Sequence, residues 1–134
     1  MFLDTNILIY SISTIPEEAR KRERAIALLD SDECVLSVQV MQEFYVQATR
    51  ASRADPLPHE IAVEMIRTWL RFRVQENNLA VLEAALEIKA AHRFSYWDSA
   101  ILAAARISGC RTVYSEDLSH GQQVAGLRII NPFR

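Results

Sequence analysis

The stretch Met1-Phe2-Leu3-Asp4-Thr5-Asn6-Ile7-Leu8-Ile9-Tyr10 decides how the rest of the chain is read. Phe2-Leu3 has the character of a short buried strand, and Ile7 to Tyr10 that of a short helix entered at once. Between them stands an acid. A carboxylate beside a core is costly unless something compensates its charge. Asp4 can do its work locally, as the N-cap of a helix starting near Thr5, or jointly, as one of several acids gathered on a cation. Thr5 and Asn6 add short polar side chains at the same strand end, suited to orienting carboxylates or water.

Outward from this opening, short apolar segments alternate with helical ones. Pro16 suits a first helical turn, with Glu17 and Glu18 near its positive end, and this helix is expected to run to about Leu29. Cys34-Val35-Leu36 reads as a second strand, and Val38 to about Thr49 as a helix. Ala54-Asp55-Pro56-Leu57-Pro58 is the clearest break. Helices are then expected from about His59 to Phe72, Leu79 to His92, and Tyr96 to Ile107, the last stopped by Gly109. Val74, Thr112-Val113-Tyr114 and Leu127-Arg128-Ile129-Ile130 supply further strands. This alternation implies an α/β sandwich with a mostly parallel sheet. In such sheets ligands bind beyond the carboxyl ends of the strands, where Asp4, Ser37 and the Ser115-Glu116-Asp117 segment would all be delivered.

Length and composition set the bounds. A chain of 134 residues is expected to form one domain, spanning 1–134, with a sizeable core. No apolar run approaches the roughly 20 residues that cross a bilayer. The N-terminus reaches an acid by residue 4, without the basic and apolar segments of a secretion signal. Cys34 and Cys110 are isolated thiols without metal-ligand spacing, and a reducing cytoplasm fits them. The net charge of −2 does not advertise a nucleic-acid binder. Yet Lys21 and Lys89 are the only lysines, and every other basic residue is arginine, whose planar fork suits phosphate. Arg50, Arg53, Arg67, Arg71, Arg73 and Arg93 are candidate phosphate contacts, although dispersed solvated arginines would look the same. Trp69, Phe72 and Tyr45 read as core or dimer contacts.

Three more acids sit beside apolar stretches. Glu43 lies about 60° from Val40 on the helical wheel, at the margin of the apolar face of its helix. That is an ordinary boundary position, and also one from which a carboxylate reaches a cleft. Asp98 follows Ser95-Tyr96-Trp97 in a capping-box pattern with Asp for the usual Glu. The helix beyond it is apolar nearly all round, so cap and ligand are both open to it. Asp117 sits in a turn beside Glu116, which competes for any ligand role. Two carboxylates about 5 Å apart repel by roughly 3 kcal/mol at an effective dielectric near 20. Four together would take up protons or splay apart without a cation. Magnesium or manganese suits such oxygen donors and can activate water and polarise a phosphodiester.

Asp4-Thr5-Asn6, Gln42-Glu43, Trp97-Asp98 opening an alanine-rich helix, and Ser115-Glu116-Asp117-Leu118, in this order across nearly the whole chain, resemble a PIN-domain ribonuclease. More narrowly they look like the VapC-type toxins of bacterial toxin–antitoxin pairs, as does Ser119-His120-Gly121-Gln122. The resemblance implies a PIN-like three-layer α/β/α sandwich and a Mg²⁺- or Mn²⁺-dependent endoribonuclease acting on RNA. Asp4, Asp98 and Asp117 would carry metal directly or through water, and Glu43 would hold or activate water. Asn6 and Ser115 would support them, Ser115 standing where threonine is also common in the family. It further implies a homodimer and inhibition by a VapB-like antitoxin whose tail crosses the acidic cleft.

Rival readings have their own residues. A haloacid-dehalogenase-like phosphatase would need a second Asp where Asn6 stands. A metal-free ribonuclease would use histidines as acid and base, drawn from His59, His92 and His120. A non-catalytic protein-binding module keeping the same fold is the alternative from a different class.

Overall fold

Phe2 and Leu3 are completely buried, as a strand covered on both faces must be. In the computed structural model, which describes residues 1–134, they form β1 (Phe2–Leu3) at the centre of a six-stranded sheet. The other strands are β2 (Val35–Ser37), β3 (Arg73–Gln75), β4 (Thr112–Tyr114), β5 (Gln123–Val124) and β6 (Leu127–Ile130). Their order is β3-β2-β1-β4-β6-β5, parallel throughout except for β5 against β6. Phe2 stands level with Val35 on one side and Val113 on the other.

The helices are α1 (Thr5–Ser11), α2 (Ala19–Leu29), α3 (Val38–Thr49), α4 (His59–Trp69), α5 (Leu79–Ala91) and α6 (Tyr96–Ile107). From β1 the chain steps outward to β2 and β3, then returns across the sheet to β4. Right-handed crossovers therefore place α1 to α4 on one face and α5 and α6 on the other. Packing agrees with this: α1 lies against α2 and α3, α3 against α4, α5 against α6, and α6 across β2, β3, β4 and β6. The result is the expected three-layer sandwich. One continuous apolar cluster of 31 buried residues runs through it, from Phe2 and Leu3 to Leu102, Val113 and Ile129.

Local signals set most boundaries. Gly109 ends α6 with φ of 84°, and the Cys110 and Gly109 N–H groups donate to the Ala105 and Arg106 carbonyls. That pair of bonds is the glycine-terminated helix end anticipated from sequence. Two expectations shift. Pro16–Glu18 forms a short 3-10 turn, and the α-helix proper begins at Ala19. The helix expected to reach Phe72 stops at Trp69, which packs edge-to-face on Phe44 with ring centroids 4.7 Å apart. Arg71 then folds back onto the Thr68 and Leu29 carbonyls, and Phe72 is buried as the chain turns into β3.

The strand order reverses direction between β1 and β4. Such a switch point opens a crevice at the carboxyl edge of the sheet. Asp4 follows β1 and Ser115 follows β4, and both remain tied to the sheet. The Asp4 N–H donates to the Tyr114 carbonyl and the Ser115 N–H to the Ile130 carbonyl, each at 3.0 Å.

Candidate functional site

Asp4 does cap α1, with extended backbone and Oδ1 accepting the Thr5 N–H at 2.7 Å. Capping uses only one of its oxygens. Oδ2 accepts the Ser115 hydroxyl at 2.7 Å, and the Asn6 amide stands 3.5 Å away. The side chain is almost wholly buried, with 5% of its residue surface exposed. Ser95 likewise caps α6, its hydroxyl accepting the Asp98 N–H at 3.1 Å. Asp4 and Asp98 thus both stand at helix N-termini, where the helix dipole favours negative charge.

Glu43 enters from α3 on the opposite layer to α6. Its Oε1 accepts the Thr5 hydroxyl at 2.7 Å and its Oε2 the Gln39 side-chain amide at 3.1 Å. The same Gln39 nitrogen donates to the Trp97 carbonyl, tying α3 to the first turn of α6. Asn6 sits among the remaining groups. Its amide nitrogen donates to Ser115 Oγ and Asp117 Oδ2, both at 3.2 Å, while its oxygen accepts the Glu116 N–H.

Asp4, Glu43, Asp98 and Asp117 all line one cleft of about 490 Å³, together with Thr5, Asn6, Gln42, Gln47 and Arg50. The four acids come from the N-cap of α1, from α3, from α6 and from the segment after β4, and they converge on this one cleft. Ser37 was expected at this rim too, but its hydroxyl caps α3 and it does not line the cleft. Of the candidate arginines only Arg50 lines it, and of the histidines none does. His59 pairs with Tyr45, and His120 accepts the Asn131 N–H. Glu116 also lies outside: its carboxylate pairs with Lys21 and accepts the Tyr10 hydroxyl.

The electrostatics follow from burial. Desolvation pushes Asp4 from 3.8 up to about 6, against the hydrogen bonds of Ser115 and Thr5, with the charges of Asp117 and Glu43 adding to the rise. Asp98 is also raised, first by burial, with Ser95 opposing and Asp117 and Glu43 reinforcing. Burial would raise Glu116 as well, but the hydrogen bonds from Lys21 and Tyr10 outweigh it and hold it low. The chain has two salt bridges, Lys21–Glu116 and Arg106–Glu87. Neither neutralises any of the four cleft acids.

A donor set made only of hard oxygens, short of positive charge, fits a hard divalent cation. The acids ring the cleft without crowding together: no three His, Cys, Asp or Glu side chains form a compact ligand cluster. A cation that retains several waters tolerates that spacing.

Sequence reasoning did not single out Gln39, Lys21 or Tyr10. Gln39 carried a signal, since it lies four residues before Glu43 and so on the same helix face. Lys21 and Tyr10 carried none, because their shared partner Glu116 is about a hundred residues away.

The PIN domain family model matches residues 1–123. The chain belongs to the PIN domain family. No curated protein matches it in sequence. Among solved structures, it is similar to a chain of a toxin–antitoxin complex from Klebsiella pneumoniae, with TM-score 0.70 and 16% identity over 98% of this chain and 96% of that one. It is also similar to Mycobacterium tuberculosis VapC20, described as a Sarcin-Ricin-loop-cleaving toxin, with TM-score 0.66 and 20% identity over 87% and 90% of the two chains. A third likeness is to the DNA-bound VapBC of Salmonella typhimurium, at TM-score 0.66 and 22% identity over 96% and 94%. These likenesses establish a shared fold. No helix of the chain is long and apolar enough to cross a membrane.

Proposed function

We propose that this protein, a single PIN domain over residues 1–134, is a metal-dependent endoribonuclease and the toxin of a VapBC-type toxin–antitoxin pair in the cytoplasm. The observation that carries the catalytic reading is the meeting of Asp4, Glu43, Asp98 and Asp117 in one cleft, with no ion pair to any of them. Asp4, Asp98 and Asp117 would hold Mg²⁺, or Mn²⁺, partly through water. When bound, the ion supplies an activated water and offsets charge on the phosphodiester.

The chain's own residues do the rest. Thr5 and Gln39 fix both oxygens of Glu43, so its carboxylate is oriented to hold a water or accept its proton. Ser115 and the Thr5 N–H hold the Asp4 carboxylate in one rotamer. Asn6 spans Asp117 and Ser115, setting the spacing between the β1 and β4 sides of the cleft. Arg50, at the cleft wall, is placed to meet an RNA phosphate.

Two apolar surfaces support the partners. A groove of about 580 Å³ lined by Val38, Met41, Tyr45, Ile66, Leu70 and Val74 shares Gln42 and Val46 with the acidic cleft. It suits an antitoxin tail that anchors apolar side chains there and runs on toward the acids. On the other layer Leu79, Leu82 and Trp97 flank one hollow, with Leu79 77% and Trp97 62% exposed. Large apolar groups left this open mark an interface, and we assign it to a homodimer.

The test is cleavage of a defined single-stranded RNA by purified protein with and without Mg²⁺ or Mn²⁺. Cleavage should require the ion and vanish in Asp98→Asn and Asp4→Asn while both variants keep their circular dichroism. Cleavage that survives chelator, or survives in those variants, overturns the mechanism. A folded wild type with no cleavage on any RNA, which nevertheless captures a partner, would favour the non-catalytic binding module.

A further inference from the structure

Two adjacent acids follow β4, and only one of them faces the cleft. Residues 116–118 are bends outside regular secondary structure, so backbone ladder bonds do not decide which way each side chain points. Side-chain contacts must do so. Glu116 is drawn to the far side by two groups at once, an ion pair with Lys21 from α2 and the hydroxyl of Tyr10 from α1. These two are themselves held. The Tyr10 ring stands edge-to-face on Phe133 with centroids 4.9 Å apart, and the Lys21 ammonium lies 4.8 Å from the Tyr10 ring centre. The Lys21 and Glu116 side chains are 38% and 25% exposed, so the pair is partly shielded from solvent.

The anchor reaches the cleft through one residue. With Glu116 held, its N–H points at Asn6 Oδ1, at 3.2 Å. An amide that accepts with its oxygen must donate with its nitrogen, and that nitrogen faces Asp117 Oδ2 and Ser115 Oγ. Asp117 has one further tie, its own N–H donating to Ser115 Oγ at 3.1 Å. Exposed and in a bend, it would otherwise be free to swing.

We propose that Lys21 and Tyr10 are positioning residues for the cleft, acting through Glu116 and Asn6 to hold Asp117 at its place among the acids. Neither touches the cleft. Outer partners that orient a ligand govern affinity without contacting the ion. The role rests on reading the four acids as a metal site, and the experiment separates failure of one from failure of the other.

The sign of the effect distinguishes positioning from simple charge. Removing Lys21 deletes a positive charge near the cleft and leaves Glu116 unpaired. Long-range electrostatics alone would then tighten cation binding. Loss of positioning weakens it. Tyr10→Phe removes the hydroxyl with no change of charge and keeps the ring on Phe133.

The full-length protein, wild type and as Lys21→Met, Tyr10→Phe and Lys21→Arg, is titrated with Mn²⁺ by calorimetry. Amide hydrogen exchange at residues 115–117 is measured on the metal-free forms. We expect Lys21→Met and Tyr10→Phe to bind Mn²⁺ about tenfold more weakly, the lower end of what losing an outer-shell partner costs. Exchange at the Glu116 amide should be faster in both, and Lys21→Arg should restore both readouts. Mn²⁺ affinity in the two variants equal to or tighter than wild type overturns the positioning role, whatever the exchange shows. A wild type that binds no Mn²⁺ overturns the metal reading, and this role with it.

Discussion

The Ser115 hydroxyl donates a 2.7 Å hydrogen bond to Oδ2 of Asp4, a residue 111 positions away in the chain. Ser115 is completely buried and its oxygen also accepts from the Asn6 amide and the Asp117 N–H. One hydroxyl therefore touches three of the groups that build the cleft. It is the point where the end of β1 is stitched to the end of β4.

Ser115→Ala should accordingly act on several groups together. We expect it to lower RNA cleavage by about tenfold to a hundredfold, the range for an outer partner of a metal-binding carboxylate. Ser115→Thr keeps the hydroxyl and should retain most activity. Cleavage rates at saturating Mg²⁺, with Mn²⁺ affinity measured alongside, check this. Wild-type rates and affinity in Ser115→Ala would show that the stitch is structural only.

Asp4 should make the metal-free fold less stable as pH rises. Its pKa is about 6 in the folded chain against an ordinary 3.8, so between those values the native state binds a proton that the unfolded chain does not. Stability from this group therefore falls with rising pH across that window, and the burial penalty is present in full above it. The span corresponds to a penalty on the order of 3 kcal/mol. Asp4→Asn keeps a cap oxygen and removes the charge, so in chelator near neutral pH it should melt higher than wild type while being inactive. The difference should shrink as the pH is lowered from about 7.5 toward about 5. Thermal melts of both proteins in chelator decide it, and an Asn variant less stable than wild type at neutral pH would contradict the assignment.

Strand β5 turns into β6 through Ala125 and Gly126, both at positive φ, 51° and 84°. A two-residue hairpin loop of this kind favours Asn or Asp before Gly. Alanine at positive φ is strained and asparagine tolerates that region better, so Ala125→Asn should stabilise the protein by up to about 1 kcal/mol. The site lies away from the cleft, so RNA cleavage should be unchanged. Chemical denaturation provides the measurement, and a lower midpoint would show that the loop is not under this strain.

The same hairpin marks a limit of sequence reading. Gln123-Val124 has neither the length of a strand nor an Asn-Gly turn after it, and its pairing depends on β6 being in place. β1, β2, β4 and β6 were legible from short runs rich in apolar residues, and β3 only from Val74 between two helices. Caps at Asp4 and Ser95 and the stop at Gly109 were equally legible, since each depends on neighbours within a few residues. The boundary at Trp69 was not, because burial against Phe44, and not local propensity, sets it.

For the site, the sequence by itself determined the candidates: four acids beside apolar stretches, in the order of the PIN family, with Asn6 and Ser115 as supports. It left each acid open between a local role and a shared one. Tertiary structure brings all four to one cleft. Asp4 turns out to be both cap and cleft residue, because a carboxylate has two oxygens and the cap uses one. Of Glu116 and Asp117, the fold brings Lys21 and Tyr10 to the first and leaves the second lining the cleft. Capping is a matter of the next few peptide units and is written locally. Convergence of charges is a matter of distances through space, which arise only when β1 and β4 lie side by side.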